Sequence, residues 1–308
     1  MVIKNRNFNI LLYFKSIGYI NIYRILYLKF LKIFLKKKII KLKTPYKTIY
    51  NIFNWDTHGS GIFVRNCFAE WGAEYAFIHS LKKRKKEVFL DVGCHTGYYS
   101  CLYNNFFSKT IGFEPSIKCE EALDLLKIQL NNFIYYQRFL GNQKKDVTSN
   151  QYEDGYAFFD KVKNKRFRNI IERKKIKITT LDDLIFNNHY NDKISAIKID
   201  VDGIDLDVLK GGIKIIKKYR PSIMIENQSE ELISIMSEND YKCFTFVSST
   251  HKPYNLTLKE VTKINQYSFH TNTICVPTEY VTEDFNETKF KGDIFFGQNK
   301  EEIMKKFS

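Results

Sequence analysis

Residues 88–115 read VFLDVGCHTGYYSCLYNNFFSKTIGFEP, and no other stretch constrains the fold as tightly. An apolar run, Val88–Leu90, ends on Asp91. A turn with glycines at 93 and 97 opens a helix, and a second strand, Thr110–Phe113, ends on Glu114. Glycine lacks the Cβ that would hold a ligand away from the backbone. The first turn of the helix offers free N–H groups to an anion. An acid closing the second strand can accept hydrogen bonds from two ribose hydroxyls. The blander reading is a strand–turn–helix whose glycines serve the turn alone. Asp91, both glycines and Glu114, in that order, favour a site for a nucleoside with an anionic tail.

The spacing narrows the ligand. A dinucleotide turn reads G-x-G-x-x-G, whereas this chain has Gly93-Cys94-His95-Thr96-Gly97, with no glycine at 95. Asp91 stands ahead of the turn, where it could meet an ammonium group, so the amino-acid end of S-adenosylmethionine suits the turn better than a pyrophosphate. Asp91, Gly93, His95, Gly97 and Glu114 are the cofactor-binding candidates.

Beyond this block the pattern alternates. Strands are expected at 87–91, 109–114, 132–138, 194–200, 221–226, 241–247 and 272–277, and helices at 97–107, 117–130, 181–188, 204–216 and 229–238. Thr180 and Ser229 stand where they would cap two of the helices. Strands alternating with helices imply an α/β fold with a doubly wound, mostly parallel sheet. A short strand is expected at Ile62-Phe63-Val64 and a helix from Trp71 to Leu81. The sequence divides into an extension (1–55), a strand–helix lead-in (56–85), a main domain (86–280) with a variable, substrate-facing insertion at 141–177, and a tail (281–308) of no evident role.

Residues 178–226 contain ITTLDDLIF, ISAIKIDVDGIDLDVLKGG and YRPSIMIE. With DVGCHTGYYS and FEP, these segments resemble the FkbM family of S-adenosylmethionine-dependent methyltransferases from about Phe63 to Pro277. The resemblance implies a Rossmann-like, seven-stranded class I methyltransferase fold with an antiparallel last strand. It also implies methylation of hydroxyls on sugars or secondary metabolites. Asp202 and Asp205 replace the family's usual glutamates, and Cys94-His95 stands where Ala-Asn is common.

In an open α/β sheet, ligands sit at the carboxyl ends of the strands. A hydroxyl acceptor must lose its proton to a general base or to a metal that lowers its pKa. Asp200 is the first candidate base and Asp202 the second, with Lys198 orienting Asp200 or pairing with it. Asp205 reads instead as a first-turn acid of a helix. A metal alternative would use Asp200, Glu226 and Asn227 for Mg²⁺. Of the six histidines, only His95 is expected near the site.

The net charge of +15 is uneven: residues 1–55 hold twelve Lys/Arg and no acid. Residues 8–43 are expected to form a helix in which aromatics and leucines alternate with lysines, as in helices that lie on anionic lipid. Packing on the catalytic domain or on a second subunit would use the same apolar side. Six cysteines without a C-x-x-C pair read as reduced cytosolic thiols. The uncharged runs near the start reach eight residues, Asn7–Phe14 and Ser16–Tyr23, against the roughly 20 that a membrane span needs, and no secretory peptide is expected. The sequence therefore points to a cytoplasmic O-methyltransferase acting on a glycan or glycolipid precursor, lipid- or nucleotide-linked, peripheral at the inner membrane face. RNA methylation and a catalytically inactive binding scaffold are the alternatives. Against RNA, the motifs for base amino groups and cytosine are missing.

Overall fold

The computed structural model describes residues 22–64, 69, 73–159, 169–187, 192–201, 203–249, 269–282 and 295–297. Its main sheet is built from β3 (Val88–Val92), β4 (Lys109–Phe113), β5 (Phe133–Tyr136), β10 (Ile194–Ile199), β11 (Ser222–Ile225), β12 (Tyr241–Ser249), β13 (Phe269–Pro277) and β14 (Phe295–Gly297). The order is β14-β12-β13-β11-β10-β3-β4-β5. β3, β4, β5, β10 and β11 run parallel, and β13 is inserted antiparallel between β11 and β12. The seven expected strands are all present, and β14 adds an eighth at the edge from the segment read as a tail.

Period-two alternation sends successive side chains to opposite faces. Phe89, Ala196 and Met224 enter one buried cluster, while Leu90, Ile197 and Ile223 enter the other. Both faces are thus covered, and this explains why the parallel strands read as near-continuous apolar runs. Helices α4 (Tyr98–Tyr103) and α5 (Glu120–Gln129) cover the first face. Helices α6 (Leu181–Asn187), α7 (Asp205–Lys210), α8 (Ile213–Tyr219) and α9 (Glu230–Ser237) cover the second.

The helix expected over 204–216 divides at Gly211-Gly212. A Cβ on Gly211 would fall 2.1 Å from Gly141 O, so this corner needs glycine to pass the neighbouring chain. Asp182 of the T-L-D-D segment then caps the second half: its carboxylate accepts from Lys214 N (3.0 Å) and Ile215 N (2.9 Å). Thr180 and Ser229 cap as expected, accepting from Asp183 N and Leu232 N.

Three expectations change. Of the long helix over 8–43, residues 8–21 lie outside the described residues. Residues 22–29 form α1, which continues as a π-helical turn, Phe30–Phe34. Residues 39–43 instead form strand β1 (Ile39–Lys43), paired with β2 (Ile49–Phe53), so Thr44-Pro45 begins a hairpin turn rather than ending a helix. Ile62-Phe63-Val64 is not a strand but the end of α2 (Thr57–Val64), because Asp56 caps that helix by accepting from Gly59 N (2.7 Å). The segment 141–177 lacks helices because it is a small sheet. β7 (Lys145–Tyr152), β8 (Ala157–Phe159) and β9 (Ile170–Thr179) form it with the two-residue β6 (Phe139–Leu140). The expected helix around 71–81 is α3 (Ala73–His79).

The N-terminal elements share the main core. Leu28, Ile40, Leu42, Tyr50, Ile52 and Ile62 are buried in one cluster with Phe89 and Tyr98.

Candidate active site

A cavity of about 290 Å³ opens at the carboxyl edge of β3, β4, β10 and β11, and the β7–β8 hairpin leans over it. The turn after β3 forms one wall. Gly93 (φ +76°), His95 (φ +49°) and Gly97 (φ +80°) all adopt left-handed backbone conformations. This winds the chain so tightly that Gly93 N and Cys94 N both donate to Phe113 O. His95 pays the steric penalty of a non-glycine residue there, and in return its N–H points at Glu114.

Glu114 lines the cavity from the end of β4. Its Oε2 accepts from His95 N (2.8 Å) and its Oε1 from Ser116 N (2.9 Å). Each oxygen keeps a lone pair for a ligand hydroxyl. Burial pushes the Glu114 carboxyl up, and the His95 ring and these two N–H groups draw it part of the way back.

Two of the cofactor candidates face elsewhere. Asp91 is fully buried and is not among the cavity-lining residues. Its Oδ2 accepts from both Ser100 N (2.9 Å) and Ser100 Oγ (2.7 Å) of α4, while Oδ1 has no hydrogen-bond partner. Burial, the largest influence, pushes its carboxyl up against the pull of Lys198. Gly97 is the N-cap of α4, and a Cβ there would lie 2.3 Å from Leu126 Cδ2, so its bareness serves helix packing. Gly93 does line the cavity, yet its Cβ would fall 1.9 Å from Asp200 O. The close approach it permits is therefore between β3 and β10 of the protein itself.

Lys198 and Asp200 meet at the end of β10, Nζ to Oδ2 2.9 Å, with both residues lining the cavity. The Lys198 side chain is 3% exposed and that of Asp200 29%. The ammonium also lies 4.5 Å from the centre of the Tyr99 ring. Burial raises the Asp200 carboxyl, but the charge and hydrogen bond of Lys198, a hydrogen bond with Glu226 and the nearby His58 outweigh it. Asp200 therefore sits below the ordinary carboxylate range. Asp205 begins α7, where its Oδ1 accepts from Val201 N (3.1 Å), and burial, with Asp200 nearby, pushes it up to about 6. Asp202 lies outside the described residues.

The Mg²⁺ alternative is not assembled here. Asn227 Oδ1 accepts from Ser229 N and Ser229 Oγ at the start of α9, and no group of three His, Cys, Asp or Glu suited to a metal occurs among the described residues.

Several cavity residues were not anticipated. His58 of α2 lines it beside His95, their rings 5.8 Å apart, so His95 is not the sole histidine near the site. The hairpin contributes Gly155 and Tyr156. A Cβ on Gly155 (φ +89°) would lie 2.7 Å from Trp55 and 2.8 Å from His95 Nε2, so the hairpin tip presses directly on the turn. A buried cluster supports the turn from behind. Tyr50 and Thr96 hydroxyls, 2.5 Å apart, both reach Asp56 Oδ2, joining β2 and α2 to the residue after His95. No local signal marks these residues, because they come together only through the tertiary fold.

Among solved structures, methyltransferase FkbM from Methylobacillus flagellatus KT is 16% identical, with 70% of this chain and 52% of that chain covered and a TM-score of 0.41. The chain thus spans about half the length of that protein. Precorrin-6y C5,15-methyltransferase from Geobacter metallireducens GS-15 is 10% identical, with 66% and 85% covered and a TM-score of 0.36. M. jannaschii TYW2, solved in complex with AdoMet, is 10% identical, with 78% and 85% covered and a TM-score of 0.34. No curated protein matches the chain. Residues 91–243, from Asp91 through the Lys198–Asp200 pair to β12, match the methyltransferase FkbM domain, so this chain carries an FkbM methyltransferase domain.

Proposed function

We propose that this methyltransferase uses S-adenosylmethionine and methylates a hydroxyl on a sugar, glycan or glycolipid precursor, with Asp200 as general base. The observation that carries the reading is that Glu114 and the Lys198–Asp200 pair face one cavity from β4 and β10, the two parallel strands that flank β3. The residues present fit a nucleoside. Glu114 offers carboxylate lone pairs to a ribose diol, Phe113, Phe139 and Leu140 offer apolar surface to a base, and the buried Nε2 of His95 has no hydrogen-bond partner. When bound, S-adenosylmethionine supplies an electrophilic methyl group. The protein aligns the reactants and removes the acceptor's proton. Asp200 is held ionised by Lys198 and can accept that proton. Tyr156 and Phe158 on the hairpin have rings 5.9 Å apart and within 8° of parallel, and with exposed Arg138 they flank the cavity. An aromatic wall beside a cation suits a sugar joined to a diphosphate.

A second reading, RNA as acceptor, draws on β9, which exposes Arg173, Lys174, Lys175 and Lys177. Affinity for RNA that falls steeply with salt would favour it.

The first test is calorimetric titration of S-adenosylmethionine into wild type and Glu114→Gln. Binding that the variant weakens by about 1–3 kcal/mol, the cost of an unmet buried hydrogen bond, is the expected result. Absence of binding by the folded wild type overturns the cofactor assignment.

A further inference from the structure

We infer that α1 and the π-turn after it form a docking surface for an anionic lipid bilayer. This segment is apolar on two faces, where a surface helix has one. Leu28 is buried and Leu31 packs against the core, fixing the inner face. On the outer side, Tyr23, Leu26, Tyr27, Phe30, Ile33 and Phe34 are all exposed, reaching 75% at Phe34. Their spacing of three and four residues lays them in one stripe, with Tyr23 stacked on Tyr27 and Phe30 on Phe34.

Charge selects the occupant. Lys29, Lys36 and Lys37 are exposed around the stripe, and residues 1–55 contain no acid. A second copy docking across a two-fold axis would bring one lysine-flanked stripe against another of the same charge. The segment before residue 22 carries Lys4, Arg6 and Lys15, again with no acid. Neither offers complementary charge, whereas an anionic headgroup layer does, over an acyl region that accepts the aromatics.

The surface is tied to the cavity. Arg24 donates to Phe63 O (2.9 Å) and Lys32 to Ser60 Oγ (2.7 Å), fastening the segment to α2, whose His58 lines the cavity. Docking there would hold the cavity beside the headgroups, where a lipid-linked acceptor resides.

The test is co-sedimentation of the full chain with phosphatidylglycerol–phosphatidylcholine vesicles and with phosphatidylcholine alone. Wild type is expected to bind the anionic vesicles far more strongly. Phe30→Glu/Phe34→Glu should weaken binding at least about tenfold, since it removes the apolar anchor. Lys29→Ala/Lys36→Ala/Lys37→Ala should weaken it on the order of 100-fold, at about fivefold per lysine. All five residues are exposed, and unchanged circular dichroism confirms that the variants fold. Absent binding by wild type, equal binding to both vesicle types, or variants that bind like wild type would overturn the proposal. So would wild-type dimerisation, seen by sedimentation velocity, that Phe34→Glu abolishes, because the stripe would then belong to a second copy.

Discussion

Replacing Lys198 by Met isolates what the ammonium does for Asp200. The stem length is kept and the charge removed. At 2.9 Å, two unit charges attract by about 6 kcal/mol at an effective dielectric of ~20 and by about 1.4 kcal/mol in water. Lys198 is buried and Asp200 is 29% exposed, so an intermediate of about 3 kcal/mol is appropriate. In wild type the pair holds Asp200 below its ordinary value of 3.8. A depressed carboxylate contributes stability above its unfolded pKa and loses it as pH falls through the folded value. In Lys198→Met, burial acts unopposed by the ammonium, the Asp200 pKa rises, and that contribution disappears. Carbon-13 NMR of the Asp200 carboxyl during a pH titration measures the shift without knowledge of the acceptor. An Asp200 pKa that stays below 3.8 in the variant would refute the assignment of Lys198 as the group that keeps Asp200 ionised.

Two further outcomes follow from backbone and burial. Gly93→Ala places a methyl 1.9 Å from a main-chain oxygen at a φ of +76°, so urea unfolding should show a loss of about 3 kcal/mol; a loss below ~1 kcal/mol would mean that the turn can relax. Asp205, raised to about 6, favours the protonated folded state, so its contribution is present below the unfolded pKa and lost as pH rises through about 6. Asp205→Asn keeps an oxygen for Val201 N and should gain on the order of 1–3 kcal/mol at neutral pH, flattening the stability profile between pH 4 and 6; an unchanged profile would count against the raised value.

The legibility of this chain followed how local each signal was. Val88–Val92 and Ile194–Ile199 are fully buried strands, and their apolar runs, bounded by turn residues, read correctly without any partner. β9 did not. Residues 170–175 are exposed, and the strand's pairing is with β7, from Tyr152 back to Lys145. Over 170–175 no buried apolar residue alternates with the charges; the period-two pattern appears only at Ile176 and Ile178, of which Ile178 is buried, and main-chain bonds hold the rest as a strand. Ile39–Lys43 fits a helical stripe as well as a strand; pairing with Ile49–Phe53 decides it. Ile62–Val64 is β-branched and aromatic, yet the Asp56 cap and the burial of Ile62 override that propensity. The cavity was visible in part for the same reason. Glu114 and Asp200 stand at strand ends, whereas His58 and Tyr156 reach the cavity through α2 and the β7–β8 hairpin.

The three acids of the motifs show what strand-end position does and does not determine. Asp91, Glu114 and Asp200 lie at the same sheet edge, and each is met by a different kind of donor. Asp91 is met by the hydroxyl and N–H of Ser100, which turn one oxygen into α4 and leave the other buried without a partner. Glu114 is met by one backbone N–H on each oxygen, an arrangement that fixes the carboxylate while leaving both oxygens able to accept again. Asp200 is met by an ammonium, which keeps it ionised rather than merely placed. A buried carboxylate needs such donors wherever it sits, so the need alone does not mark a ligand site. What separates the three is direction. Ser100 lies on the helix side of Asp91, while the donors to Glu114 and Asp200 come from the turns around the cavity and from the sheet beneath it. Spacing in the sequence put all three acids at the edge; the donors decide that Asp91 stabilises the turn while Glu114 and Asp200 face the cavity.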